Sequence, residues 1–202
     1  YTDIAVDTLS MGDVDGDGKD DIVVKTTSGF WIVLQNVSSS STAQFSYYLT
    51  RIGPGWEGLV AYNFDDKFML GDIDGDGKDD MIIRTKSDGS WYWAQSDGAL
   101  FEAPVPLNIG HTHINRYYAS DQIRFADVNG DGYDDLVARR GSSNRWYISM
   151  NLKNNSLKYG IEPVIDGSRN TYLQADLISV GDYDGDGIAD LFVRRPSTLR
   201  WF

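Results

Sequence analysis

The chain contains no cysteine among its 202 residues, so no disulfide framework is available to staple it. It has no run of 18 apolar residues, and nothing in it reads as a membrane-spanning helix. Its opening residues, Tyr1-Thr-Asp-Ile, lack the charged and apolar regions of a signal peptide, which fits a mature fragment or excised domain of a secreted protein. Positive charge is scarce: 18 basic residues face 30 acidic ones, a formal charge of −12, which argues against a nucleic-acid-binding face and against attraction to anionic lipid. No segment carries an amphipathic helical stripe. Outside the acidic loops there is no paired-carboxylate, nucleophile–base or zinc signature of catalysis.

What is abundant is aspartate, and it is ordered. Four nine-residue loops recur: Asp13-Val-Asp-Gly-Asp-Gly-Lys-Asp-Asp21, Asp72-Ile-Asp-Gly-Asp-Gly-Lys-Asp-Asp80, Asp127-Val-Asn-Gly-Asp-Gly-Tyr-Asp-Asp135 and Asp182-Tyr-Asp-Gly-Asp-Gly-Ile-Ala-Asp190. Carboxylates at alternate positions of a curled loop supply the six to eight oxygens that Ca²⁺ takes at about 2.3–2.6 Å. The expected side-chain ligands are Asp13, Asp15, Asp17 and Asp21; Asp72, Asp74, Asp76 and Asp80; Asp127, Asn129, Asp131 and Asp135; and Asp182, Asp184, Asp186 and Asp190. Lys19, Lys78, Tyr133 and Ile188 would each add a backbone carbonyl, giving four Ca²⁺ sites. An EF-hand is excluded, because its twelfth loop position needs a bidentate Glu where this chain has Val24, Ile83, Ala138 and Val193. Fifteen of the thirty acidic residues are in this ligand set, so half of the acidic residues are local to the loops. Extracellular, millimolar calcium would fill even weak sites of this kind.

The loops begin at 13, 72, 127 and 182, intervals of 59, 55 and 55 residues, which excludes tandem nonapeptide calcium repeats and matches one four-stranded propeller blade per repeat. An apolar and a small residue precede each loop, as in Met11-Gly12 and Phe125-Ala126, and end a first strand. The short apolar runs Ile22–Lys25, Met81–Arg84, Leu136–Arg139 and Leu191–Arg194 follow as buried second strands, each closing on a basic residue expected to pair with an acid of a neighbouring blade. Trp31, Trp91, Trp146 and Trp201 mark a third strand and are expected to pack between blades. A fourth strand is expected over 44–50, 100–107 and 157–164, and the last repeat stops before its own. The fold class is all-β: a single β-propeller domain over 1–202, with repeats near 5–52, 66–109, 121–165 and 176–202. It is either a closed four-bladed ring or part of a larger propeller.

With these loops and strands the chain resembles the FG-GAP or VCBS-type repeat of integrin-like and secreted microbial β-propellers, which carries an Asp-x-Asp-Gly-Asp-Gly-x-x-Asp loop between the first two strands of each blade. The resemblance covers nearly the whole chain. The Phe-Gly and Gly-Ala-Pro pairs that name the family are missing, Asn129 replaces one carboxylate, and Ala189 falls at a non-ligand position where no effect is expected.

Up-and-down strands would put the calcium loops at one rim and the interblade connections at the other. Those connections, 52–66, 109–121 and 165–174, hold the candidate ligand-binding residues Trp56, Tyr62, His111, His113, Arg116, Tyr117, Tyr118 and Tyr172. Trp93 also breaks the repeat register and reads as a ligand candidate. Aromatic faces beside Asn and Arg suit sugar rings and equally suit protein partners. Three functions follow: a secreted or cell-surface module that binds glycan or an extracellular protein; a calcium-stabilised scaffold within a larger toxin, adhesin or hydrolase; and, as an alternative to a non-enzymatic role, a polysaccharide lyase using His111, His113, Arg116, Tyr117 and Tyr118.

Overall fold

A computed structural model describes residues 4–26, 31–50, 67–110, 120–141, 146–154, 156–159 and 176–201. Every regular element among them is a strand, arranged in four antiparallel sheets over two compact units, Tyr1–Pro106 and Leu107–Phe202.

In the first unit, β1 (Ile4–Gly12), β2 (Asp21–Thr26), β3 (Trp31–Asn36) and β4 (Phe45–Thr50) pair in chain order as one meander. The second meander is β5 (Lys67–Gly71), β6 (Asp80–Arg84), β7 (Trp91–Ala94) and β8 (Val105–Pro106). In the second unit the same order gives β9 (Gln122–Ala126), β10 (Asp135–Arg139), β11 (Trp146–Asn151) and β12 (Leu157–Tyr159). The last sheet has β13 (Leu177–Gly181), β14 (Asp190–Arg195) and β15 (Arg200–Trp201). The first three strands of every repeat fall where the sequence sets them. The fourth is shorter than expected in the second repeat, where the ladder closes only at Val105 and Pro106, because a proline has no N–H to extend it.

The second strands are continuous apolar runs because both of their faces are covered: every residue of β6 and of β10 is buried. In the first unit Val23, Trp31 and Val33 pack with Leu70, Met81, Ile83 and Ala94, and the Trp31 ring meets Phe68 edge-on at 4.7 Å. In the second unit Trp146 and Val137 pack with Ile178 and Val193. The repeated Trp thus packs between neighbouring sheets, as expected, at 31 and 146. Trp201 differs, at 62% exposed, and Leu177 and Leu199 of the same repeat are exposed as well. Trp93, a ligand candidate by sequence, is buried and offers no ring face to a ligand.

The basic residues that close the second strands sit directly across the ladder from the repeated Trp: Lys25 from Trp31, Arg84 from Trp91, Arg139 from Trp146 and Arg194 from Trp201. Three of these cations lie 5.0–5.8 Å from the ring centroid, a cation–π arrangement within each sheet. Acids of a neighbouring blade are the expected partners; Arg139 does reach the next repeat, but the bond that its Nη1 donates there, at 2.8 Å, is to the backbone carbonyl of Asp176.

Candidate functional site

All four aspartate loops join the first to the second strand of a sheet, and all four close by one pattern. The first carboxylate accepts three backbone N–H groups from within its own loop. At Asp13 these come from Gly16 at 2.8 Å, Asp17 at 3.1 Å and Gly18 at 2.7 Å. Asp72, Asp127 and Asp182 repeat the set at distances of 2.7–3.2 Å. The curl needs backbone angles that a Cβ disfavours, and the two glycines of each loop supply them at φ of 75–84°. The residues at the seventh position, Lys19, Lys78, Tyr133 and Ile188, are held by their own N–H groups on the carboxylates of Asp17, Asp76, Asp131 and Asp186.

The last carboxylate fastens the loop to the sheet. Asp21 accepts Val14 N–H at 3.1 Å and Asn36 N–H, from the end of β3, at 2.7 Å. Asp80 accepts Ile73 and Ser96 in the same way, at 3.1 and 2.9 Å. Val14 and Ile73, at the second loop position, are buried and drive an apolar peg under the loop. The sequence reading missed these pegs and the β3-end donors; the apolar residue at position two of three loops was the available signal.

These groups bring carboxylates together with little compensation. Among the described residues, Asp13, Asp15 and Asp17, then Asp72, Asp74 and Asp80, then Asp182, Asp184 and Asp190 each place ligand oxygens within 4.8 Å of one another. Burial, with the neighbouring carboxylates Asp74 and Asp72 adding to it, pushes Asp80 up to about 8. Asp135 is pushed up to about 6, and Asp21, Asp72 and Asp74 are raised, in each case first by burial. At Asp127 burial is outweighed by N–H donors from Gly132, Asn129, Asp131 and Gly130, which hold the carboxyl below its usual range.

The donor set fits a hard divalent cation, because it is all oxygen, preformed and short of positive charge. Protein donors already lean on it: the Lys19 ammonium contacts Asp17, the Lys78 ammonium contacts Asp76, and the neutral Gln95 amide donates to Asp74. The third loop differs. It is not among the three-carboxylate clusters, the Asn129 amide donates to Asp135 at 3.1 Å, and Lys153 approaches Asp131 at 3.5 Å.

The eighth position, unassigned by sequence, holds one loop to the next. Asp79 of the second loop donates its N–H to the Asp13 carbonyl at 2.7 Å, while its Oδ2 accepts the Asp13 N–H at 2.9 Å. Ala189 keeps the first bond, to the Asp127 carbonyl at 2.8 Å, and lacks the second. The residues expected to bind a ligand, Trp56, Tyr62, His111, His113, Arg116, Tyr117, Tyr118 and Tyr172, lie outside the described residues.

Known proteins bear on this arrangement. Among curated proteins no sequence matches the chain. A structure of an Agrocybe aegerita lectin, described as specifically recognising non-reducing terminal N-acetylglucosamine, is similar over 91% of this chain and 45% of its own, at 20% identity and a TM-score of 0.61. A TcdB2-TccC3-Cdc42 complex is similar over 98% of this chain and 14% of its own, at 12% identity and a TM-score of 0.54. A Photorhabdus luminescens Tc holotoxin pore matches over 95% and 8%, at 19% identity and a TM-score of 0.52. The chain therefore spans less than half the length of each, and at these identities the likeness establishes a common β-propeller-type fold. The FG-GAP-like repeat model matches residues 72–138 and 127–193, and the FG-GAP repeat model matches 5–41. With the meanders and their aspartate loops, these matches identify the chain as a member of the FG-GAP repeat family.

Proposed function

We propose that the chain is a calcium-stabilised β-propeller domain, spanning 1–202, of a secreted or cell-surface protein, and that it recognises glycan through loops remote from the calcium sites. The observation that carries this reading is the division of labour within each sheet. The aspartate loop occupies the end where the first strand turns into the second, and a four-stranded meander delivers its outgoing connection to the opposite end. Metal chemistry at one end then fixes the frame, while the connections rich in Trp, Tyr, His, Asn and Arg are left for recognition. The likeness to a lectin described as recognising terminal N-acetylglucosamine supports glycan as the ligand class.

Calcium in this reading is held by the aspartate side chains and the seventh-position carbonyls. It relieves the repulsion and desolvation of carboxylates crowded in each loop. Bound only by the folded state, it adds about 2.7 kcal/mol per site at a hundred times Kd.

The test is a glycan array that includes N-acetylglucosamine-terminated chains, probed with and without calcium and alongside a melting curve in both conditions. Selective, calcium-dependent binding is expected. A chain that melts higher in calcium yet binds no glycan and no extracellular protein is a scaffold, the reading that the large toxin assemblies of similar fold favour. Release of unsaturated uronate from an acidic polysaccharide would instead make it an enzyme.

A further inference from the structure

We propose that the first and second aspartate loops form one coupled calcium unit, in which Asp79 and Ser96 are positioning residues for the site in the first loop. This rests on the calcium reading above and goes beyond it, since repeats that bind independently would satisfy that reading equally well.

Two routes join the loops. The first is the clasp at Asp79, which holds both the N–H and the carbonyl of Asp13, the residue whose side chain closes the first loop. The second is a buried relay. Asp80 accepts the Ser96 N–H at 2.9 Å, the Ser96 hydroxyl donates to the Val14 carbonyl at 2.6 Å, and the Val14 N–H donates to Asp21 at 3.1 Å. Asp21, Val14, Ser96 and Asp80 are all buried, so water does not compete for these bonds. The first ligand of loop one, Asp13, is thus bonded directly to Asp79, and the last, Asp21, is joined to Asp80 through Val14 and Ser96. An ion that fixes Asp80 orders both anchors of the neighbouring loop, and ordering shared by two sites appears as positive coupling between them.

The second unit supplies the comparison. A Cβ on Gly12 would lie 2.0 Å from Asp79 Oδ2, so the carboxylate of the clasp occupies the space of a methyl group. In the pair formed by the third and fourth loops, Ala126 stands at the Gly12 position and Ala189 at the Asp79 position. The methyl is present where the carboxylate is missing, and only the backbone bond from Ala189 to Asp127 remains.

The test is a calcium titration of the full chain followed at the backbone amides of Gly18, Gly77, Gly132 and Gly187, one reporter per loop, by two-dimensional NMR. In the unmutated chain the Gly18 and Gly77 curves should coincide and be steeper than a single-site isotherm. Asp74→Ala, which disables the second loop without touching the first, should raise the Gly18 midpoint by about fivefold or more, a typical coupling. The Gly132 and Gly187 midpoints should stay in place. Gly12→Ala/Asp79→Ala, which copies the second unit, should shrink that shift. Two separate single-site curves in the unmutated chain, or a Gly18 midpoint indifferent to Asp74→Ala, would overturn the coupling while leaving calcium binding intact. Amides that ignore calcium in all four loops would overturn the calcium reading and the coupling with it. Should Asp74→Ala fail to fold, the curve shapes of the unmutated chain decide.

Discussion

The buried carboxylates make stability depend on pH in a direction opposite to that of most acidic groups. Burial pushes Asp79 up to about 7, Asp80 up to about 8 and Asp135 up to about 6, against an ordinary value of 3.8. The folded state therefore keeps protons that the unfolded chain has already released, so the contribution of these groups is complete below the ordinary value and is lost as pH rises through about 6 to 8. Each group loses about 1.4 kcal/mol per pH unit inside its window. Between about pH 5 and pH 7, Asp79 and Asp80 both lie in that window and together lose on the order of 5 kcal/mol. For a domain of this size that is roughly 10–20 °C of melting temperature. Calcium bound as proposed would keep Asp80 and Asp135 ionised, so it should cancel their share and leave that of Asp79, which lies outside the proposed ligand set. The assay is calorimetry or dye-monitored melting across this range, in calcium-free and calcium-saturated buffer, with Asp80→Asn and Asp79→Asn as controls. The calcium-free melting temperature should fall with pH, and the increment from calcium should widen. A flat calcium-free profile, or an increment that does not grow, would refute the reasoning.

Three further outcomes are expected. Trp31→Ala should cost about 3–5 kcal/mol because a buried ring leaves a cavity, whereas Trp201→Ala at the same repeat position should stay within about 0.5 kcal/mol; chemical denaturation measures both. Asp176→Ala should destabilise by about 3–5 kcal/mol, since it removes both carboxylate oxygens that the half-buried Arg195 guanidinium now bonds at 3.1–3.3 Å. Gly141→Ala should destabilise by about 1–3 kcal/mol, because the new Cβ would lie 2.1 Å from Ser120 Oγ and 2.7 Å from its carbonyl; Ser120→Gly should recover only the side-chain part, which a double-mutant cycle of melting curves would measure.

Much of the site was legible because its chemistry is local. A nine-residue loop that closes on its own first carboxylate needs no distant partner, so the residue pattern suffices to place it. The second strands were legible for a related reason: strands covered on both faces are written as unbroken apolar runs. The pairing of Lys25 with Trp31 and of Arg84 with Trp91 lay within reach as well, since hairpin register alone sets these residues opposite each other. Expecting acids of a neighbouring blade as their partners passed over the ring across the ladder.

Other roles depended on residues far apart in the chain. The eighth loop position looked neutral by sequence, yet Asp79 bonds Asp13 across 66 residues, whereas Ala189, in the pair of loops where Ala126 stands in place of Gly12, has no carboxylate to make that bond. Ser96 likewise reaches Val14 across 82 residues. Trp93 broke the repeat and looked available for a ligand, but the pleat turns its side chain into the packed interior of its sheet.

By itself the sequence determined the four repeats, the order of strands within each, and the loops fit for a hard cation, because carboxylate spacing, glycine freedom and apolar runs act over fewer than ten residues. Only the tertiary structure decided which loops touch, which acids lose their solvation, and which copies of a repeated Trp are covered. Those outcomes follow from sheets packing side by side, a contact that no single repeat encodes.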